Sequence, residues 1–262
     1  MAIIESHNPG ALTWLELATS DQNAAKSFYS TLFGWGIDDQ DMGPAGVYTM
    51  FTVEGRNVAA AYTQSPQEAA MVPPHWNLYI AVENADASAA KAVELGGTVV
   101  MGPFNAGEFG RMAVLVDPTG AAFCIWQAIT NHGIGLSGVE GTLCWADVFA
   151  GHGESAEAKA ATFYSALFGY EIVPGDGGYT HLKNGSEMIG GIQASAHVPP
   201  GVPPHWLAYI LVGDCAVVTG KAAGLGAAVI LPPMEIEKTG FMSVIKDPQG
   251  AMIALFQPFP RG

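Results

Sequence analysis

The chain has 262 residues and is 49% hydrophobic, enough for one large domain or two ordinary ones with a substantial core. Ten basic against 24 acidic side chains leave a formal charge of −14, a surface that repels phosphate backbones and anionic membranes, so neither nucleic acid nor a membrane is an expected partner. Three cysteines (Cys124, Cys144, Cys215), none in CxxC spacing, argue against a disulfide framework and against a thiolate zinc site. The opening Met1–His7 lacks the basic start and apolar run of a secretion signal, and no apolar stretch is long enough to cross a bilayer; the expectation is a cytoplasmic, reduced protein.

In chain order, the segment 12–18 alternates around Trp14 and Glu16 and reads as a strand. Ser20 or Asp21 then caps a helix with the apolar face Ala25, Phe28, Tyr29 and Leu32, and Gly34 stands in the usual stop position. Two β-rich runs follow, 47–53 and 58–63. After Pro73-Pro74 a strand covers about 76–82, and an alanine-rich helix runs from about Asp86 to Leu95, stopped by Gly96-Gly97. The segments 112–116 and 122–127 form a hairpin across Asp117-Pro118-Thr119-Gly120, residue types that suit a type I turn.

This order then repeats. Phe28-Tyr29-Ser30-Thr31-Leu32-Phe33-Gly34-Trp35 recurs as Phe163-Tyr164-Ser165-Ala166-Leu167-Phe168-Gly169-Tyr170. Pro73-Pro74-His75-Trp76 recurs as Pro203-Pro204-His205-Trp206, and Asp117-Pro118-Thr119-Gly120-Ala121 as Asp247-Pro248-Gln249-Gly250-Ala251. The second copy carries extra residues around Gly151–Glu154, placed by their composition in a surface loop. The reading is α+β, with a first module over 1–130, a linker over 131–137 and a second module over 138–262. No GxGxxG or P-loop follows a strand, so a nucleotide-phosphate cradle is not expected.

An opening strand, a helix ending in FYxxLFGW, a PPHW strand and a closing DPxGA strand, twice over, resemble the vicinal-oxygen-chelate superfamily. That is the group of glyoxalases, extradiol dioxygenases and bleomycin-resistance proteins, and the likeness is narrower to its tandem two-module branch. The resemblance implies that each module is two βαβββ units curled into a half-open barrel around a pocket. It also implies metal-ligand slots on the first, fifth and last strands, which fall on Trp14, Asn77 and Cys124, and on Trp145, Leu207 and Ala254. Neither set is a ligand triad, since tryptophan, leucine and alanine do not donate to a metal. No metal or other cofactor is therefore expected. The alternative is a divalent metal on residues shifted by one layer, Glu16 with His75, or Asp147 with His181 and His205.

The candidate catalytic residues are Glu16 and Asp147, carboxylates on otherwise apolar strands, with His75 and His205 as proton carriers. A surface-facing acid and a histidine capping the Pro-Pro turn are the competing readings. Candidate ligand-binding residues are Trp14, Tyr48, Asn77, Tyr79, Arg111, Cys124 and Trp126 in the first module. In the second they are Trp145, Tyr179, His181, Tyr209 and Phe256. An aromatic lining with few polar groups suits a flat, largely apolar ligand, whereas the same residues also make a packed interior. Cys124 has no basic neighbour to lower its pKa and reads as a small apolar residue.

The expected partner is a small, largely apolar oxygenated organic molecule, bound or transformed by proton transfer next to a carbonyl. The alternatives are a drug-sequestering protein without chemistry and a metal-dependent glyoxalase or dioxygenase. The duplicated chain fits a monomer, because it can form internally the module pairing that shorter chains reach by dimerising; a homodimer is the other option.

Overall fold

The computed structural model describes residues 1–260. A short strand, β1 (Ala2–Ile3), precedes the first module. That module runs β2 (Leu12–Thr19), α1 (Gln22–Phe33), β3 (Gly36–Asp41), β4 (Val47–Val53), β5 (Arg56–Thr63), α2 (Pro66–Met71), β6 (His75–Ala81), α3 (Ala85–Glu94), β7 (Thr98–Ala106), β8 (Gly110–Val116) and β9 (Ala122–Ala128). After β10 (Leu136–Ser137) the second module runs β11 (Leu143–Phe149), α4 (Ala156–Phe168), β12 (Glu171–Pro174), β13 (Thr180–Asn184), β14 (Glu187–Gln193), β15 (His205–Leu211), α5 (Cys215–Gly224), β16 (Ala228–Ile236), β17 (Gly240–Lys246) and β18 (Met252–Pro258).

Each module is one open eight-stranded mixed sheet, in the order β3-β4-β5-β2-β6-β9-β8-β7 and β12-β13-β14-β11-β15-β18-β17-β16. The architecture is α+β, two tandem modules of paired βαβββ units, and neither sheet closes into a barrel. The central pair of each sheet, β2–β6 and β11–β15, is antiparallel and flanked on both sides by a parallel neighbour.

Local chemistry explains the helices. Asp21 caps α1 by accepting the Ala24 amide, and Gly34 ends it in the left-handed region that glycine enters without a Cβ penalty. The buried face of α1 is Ala25, Phe28, Tyr29 and Leu32, as its spacing predicts. The edge strands are where sequence and structure part. β3, Gly-Ile-Asp-Asp-Gln-Asp, is exposed along its whole length and carries no apolar alternation to read. β7 holds Gly102 and Pro103, which break the pattern, and its register with β8 shifts twice.

The helices of both modules pack into one continuous core between the sheets. All three repeated motifs meet there. In the first module the Trp76 indole donates to the Tyr29 hydroxyl, and Tyr29 donates across the boundary to Asp247 of the second at 2.8 Å. Reciprocally, Trp206 donates to Tyr164, and Tyr164 donates to Asp117 of the first module at 2.8 Å. The other oxygen of each aspartate accepts backbone amides of its own DPxGA turn. Trp35 donates to the Gly141 carbonyl and Tyr170 to that of Gly10, which lock the modules further. The segment 131–137 is docked onto the first module. Ile134 and Leu136 are buried, their backbone neighbours bond to Thr13 and Asn57, and β10 pairs with β1. No helix of the described residues is long and apolar enough to cross a membrane.

Candidate functional site

With the helices on one side, side chains at alternate positions point to the other, helix-free face of each sheet. There β2 presents Trp14 and Glu16, and β6 presents His75, Asn77 and Tyr79; Glu16 stands opposite Asn77, and Trp14 opposite Tyr79. Although no helix covers this face, Trp14, Glu16 and Tyr79 are buried, with Glu16 9% exposed, so the sheet curls over its own middle.

Glu16 is the centre of the first face. Its Oε1 accepts the Tyr48 hydroxyl at 2.6 Å, and its Oε2 accepts the Tyr79 hydroxyl at 2.7 Å and the Asn77 amide at 3.4 Å. The Trp14 indole donates in turn to the Tyr48 oxygen at 3.1 Å. Burial raises the Glu16 pKa, and the three donors oppose that rise without cancelling it. The hydroxyls of Tyr48 and Tyr79 are pushed well above the usual range by burial and by the carboxylate they serve.

Asp147 repeats the arrangement with more donors. Its Oδ1 accepts the Tyr179 hydroxyl and the Trp145 indole, and its Oδ2 accepts the Tyr209 hydroxyl at 2.7 Å and the Gln193 amide at 3.2 Å. The Trp145 indole also reaches the Tyr179 oxygen at 2.9 Å. Gln193 is passed over in the sequence reading. The signal for it is positional: β14 runs parallel to β11 and places Gln193 two residues beyond Gly191, which pairs with Asp147.

The histidines divide. His75 Nδ1 lies 2.8 Å from the Pro73 carbonyl and Nε2 lies 3.2 Å from Asn77 Oδ1, so a chain His75–Asn77–Glu16 runs across the first face. His205 makes the matching contact to Pro203 at 2.9 Å, but Leu207 replaces Asn77 and the chain is missing. His205 packs edge-on against Phe149 instead. His181 lies on the second face beside Tyr179 and Trp145.

Of the remaining candidates, Trp126 and Phe256 stand opposite Met112 and Met242, which join them on the open faces. Burial pushes the Cys124 thiol well above its ordinary range and the Cys144 thiol up to about 12, so neither is a nucleophile. Arg111 is not brought to the site. It points to the helix side and holds Asp86 at the start of α3 through two bonds of 2.7 Å, because its position is one residue out of phase with Met112. Two surface depressions, of about 400 Å³ beside Asp21 and Lys26 and about 300 Å³ between α1 and Pro248, border neither Glu16 nor Asp147.

Among the described residues no group of three His, Cys, Asp or Glu is placed to hold an ion. The shifted set of Asp147, His181 and His205 is not assembled: phenols, an indole and an amide take the aspartate oxygens, and His205 is tied to Pro203.

Two tandem modules of paired βαβββ units define a class of protein, and in this, comparison with known proteins agrees. The Glyoxalase/Bleomycin resistance protein/Dioxygenase superfamily profile matches residues 11–125. CFP32 of Mycobacterium tuberculosis (strain CDC 1551 / Oshkosh), a glyoxylase by name, is 41% identical over 261 residues, covering 97% of each chain. The anthracycline biosynthesis protein DnrV of Streptomyces peucetius is 32% identical over 260 residues, covering 93% of this chain and 91% of its own. The chain belongs to this superfamily. In fold it is similar to the Mn(II)-bound glyoxalase of Novosphingobium aromaticivorans, with TM-score 0.63 at 15% identity, covering 95% of this chain and 82% of that one. It is equally similar to the 2,3-dioxygenase LapB of Pseudomonas sp. KL28, with TM-score 0.63 at 14% identity, covering 96% and 95%.

Proposed function

We propose that the protein binds a small, largely apolar oxygenated organic molecule on its open faces, and that the first face moves a proton next to a carbonyl of that molecule without a metal. The observation that supports this is the chain His75–Asn77–Glu16. Both His75 ring nitrogens face oxygen atoms, of Pro73 and Asn77, and the Asn77 amide nitrogen faces Glu16. Turning the Asn77 amide over exchanges its donor and acceptor, so the one side chain joins the two groups in either sense. The proton thus has two seats joined by one side chain. Burial raises the Glu16 pKa, which makes its carboxylate a stronger base.

In this reading Tyr48 and Tyr79 orient Glu16, and a ligand carbonyl takes the place of one phenol as hydrogen-bond partner. Asp147 lacks the histidine link and serves to hold its tyrosines in place. The names of the relatives fit a ligand of this kind. The test is deuterium exchange at the sp3 carbon next to the carbonyl of a bound enolisable ketone, followed by NMR in heavy water. Glu16→Gln and Asn77→Leu should abolish exchange while Asp147→Asn keeps it; exchange surviving in Glu16→Gln would sink the mechanism. Elemental analysis of protein purified without chelator should find no stoichiometric transition metal.

A second reading is sequestration without chemistry. It is favoured by the full hydrogen-bonding of Glu16, which a substrate has to displace. Tight binding with no exchange in the wild type would establish it.

A further inference from the structure

The two open faces share a frame but differ along one row. In the first, Met50, Ala60 and Glu16 stand side by side across β4, β5 and β2. In the second, His181, Gly191 and Asp147 stand there across β13, β14 and β11. Asp147 is one methylene shorter than Glu16, so the phenol that serves it has to come closer to the sheet. Gly191 permits that approach: a Cβ at this position would overlap the hydroxyl oxygen and Cζ of Tyr179. The Tyr179 ring therefore lies directly over β14, on ground that the Ala60 methyl holds in the first face.

His181 joins it there, edge-on to Tyr179 with 5.0 Å between ring centroids and edge-on to Trp145 at 6.1 Å. Its Nδ1 is buried with no hydrogen-bond partner among the described residues. Gly175 stands beside Nε2, where a Cβ would come within 3.1 Å. Two glycines thus make room for a group of three rings, bordered by the apolar side chains of Leu207, Val244 and Met242. The first face has no such group. Met50 replaces the imidazole, and Tyr62, in the place of Gln193, is held by Glu68 at 2.6 Å.

We infer that the second face is a receptor for a planar aromatic ligand, and that Gly191 sets this specificity by letting the Tyr179 ring lie against the sheet beside Trp145 and His181. The inference rests on the reading that the open faces bind small organic molecules. A flat ring system placed here meets aromatic edges and faces, which favour offset and edge-to-face contact, whereas on this row the first face has Met50 and Ala60 in place of His181 and Gly191. His181, whose Nδ1 has no hydrogen-bond partner among the described residues, supplies the polar group for an oxygen substituent on the ring.

The test uses the full chain and 1,2-dihydroxyanthraquinone as probe, titrated by quenching of tryptophan fluorescence, with thermal stability measured in parallel. Gly191→Ala should weaken binding about tenfold or more and lower the melting temperature. Adding Asp147→Glu to it recreates the Glu–Ala pairing of the first face. That double variant should recover stability but not affinity. Recovery of both would make Gly191 merely structural and overturn the inference, as would unchanged affinity in Gly191→Ala. His181→Met, which disturbs no hydrogen bond, should also weaken the probe, and unchanged binding would overturn its part in the receptor. Loss of the probe in Glu16→Gln but not in Gly191→Ala would overturn the inference while leaving ligand binding by the open faces intact. A wild type that ignores the probe would remove the aromatic class, with the exchange experiment on the first face still deciding the broader reading.

Discussion

Glu16 and Asp147 occupy matching strand positions, yet one methylene and a few neighbours give them different work. Glu16 meets two phenols and one amide, while Asp147 meets two phenols, an indole and an amide. The consequence for Glu16 can be read in stability. Its pKa is raised above 4.5, so through an interval above that value the folded protein keeps a proton that the unfolded chain releases. Its contribution to stability is complete below the unfolded value and is lost as pH rises through the folded one. The melting temperature of the wild type should therefore fall over this interval more than that of Glu16→Gln. Superimposable pH profiles would show that Glu16 does not titrate there. The His75 link makes a second prediction. In an NMR spectrum at fixed pH, Asn77→Leu should move the His75 ring signals, and unchanged signals would mean that Asn77 does not join His75 to Glu16.

At the level of elements, the sequence shows the central strands and the helices clearly because they carry strong alternation or a capped apolar face. β3 is a polar edge and β12 an edge of only four residues, both with partners visible only in three dimensions, and β7 and β16 are interrupted by proline. Acid, tryptophan and tyrosine positions of the site were legible from strand phase. Arg111 and Met112 show the limit of that method, since an error of one residue exchanges the two sides of a sheet. The motifs held a different lesson. FYxxLFG, PPHW and DPxGA signal the family, but their tyrosines, tryptophans and aspartates build the contact between modules, and His75 alone of them reaches toward an acid, through Asn77. Tyr29→Phe removes the donor to a buried aspartate oxygen and the acceptor for the Trp76 indole, and should cost about 1–3 kcal/mol. Tyr164→Phe should cost a similar amount, measured by denaturant unfolding; a loss below a few tenths would mean the aspartates find other partners.

For the whole molecule, one core spans both modules and the connecting segment is itself docked, so the two sheets should unfold together. Calorimetry should show a single transition, with two resolved transitions being the contrary result. The reciprocal tyrosine–aspartate bonds also explain where the two halves have stayed alike. Each aspartate answers to a tyrosine encoded in the other half, so a change on one side is felt by its counterpart. The open faces carry no such mutual obligation: Met50 corresponds to His181, Ala60 to Gly191, Asn77 to Leu207 and Cys124 to Ala254. Duplication under these terms ties the halves together where they touch and leaves each free to acquire its own chemistry where they do not.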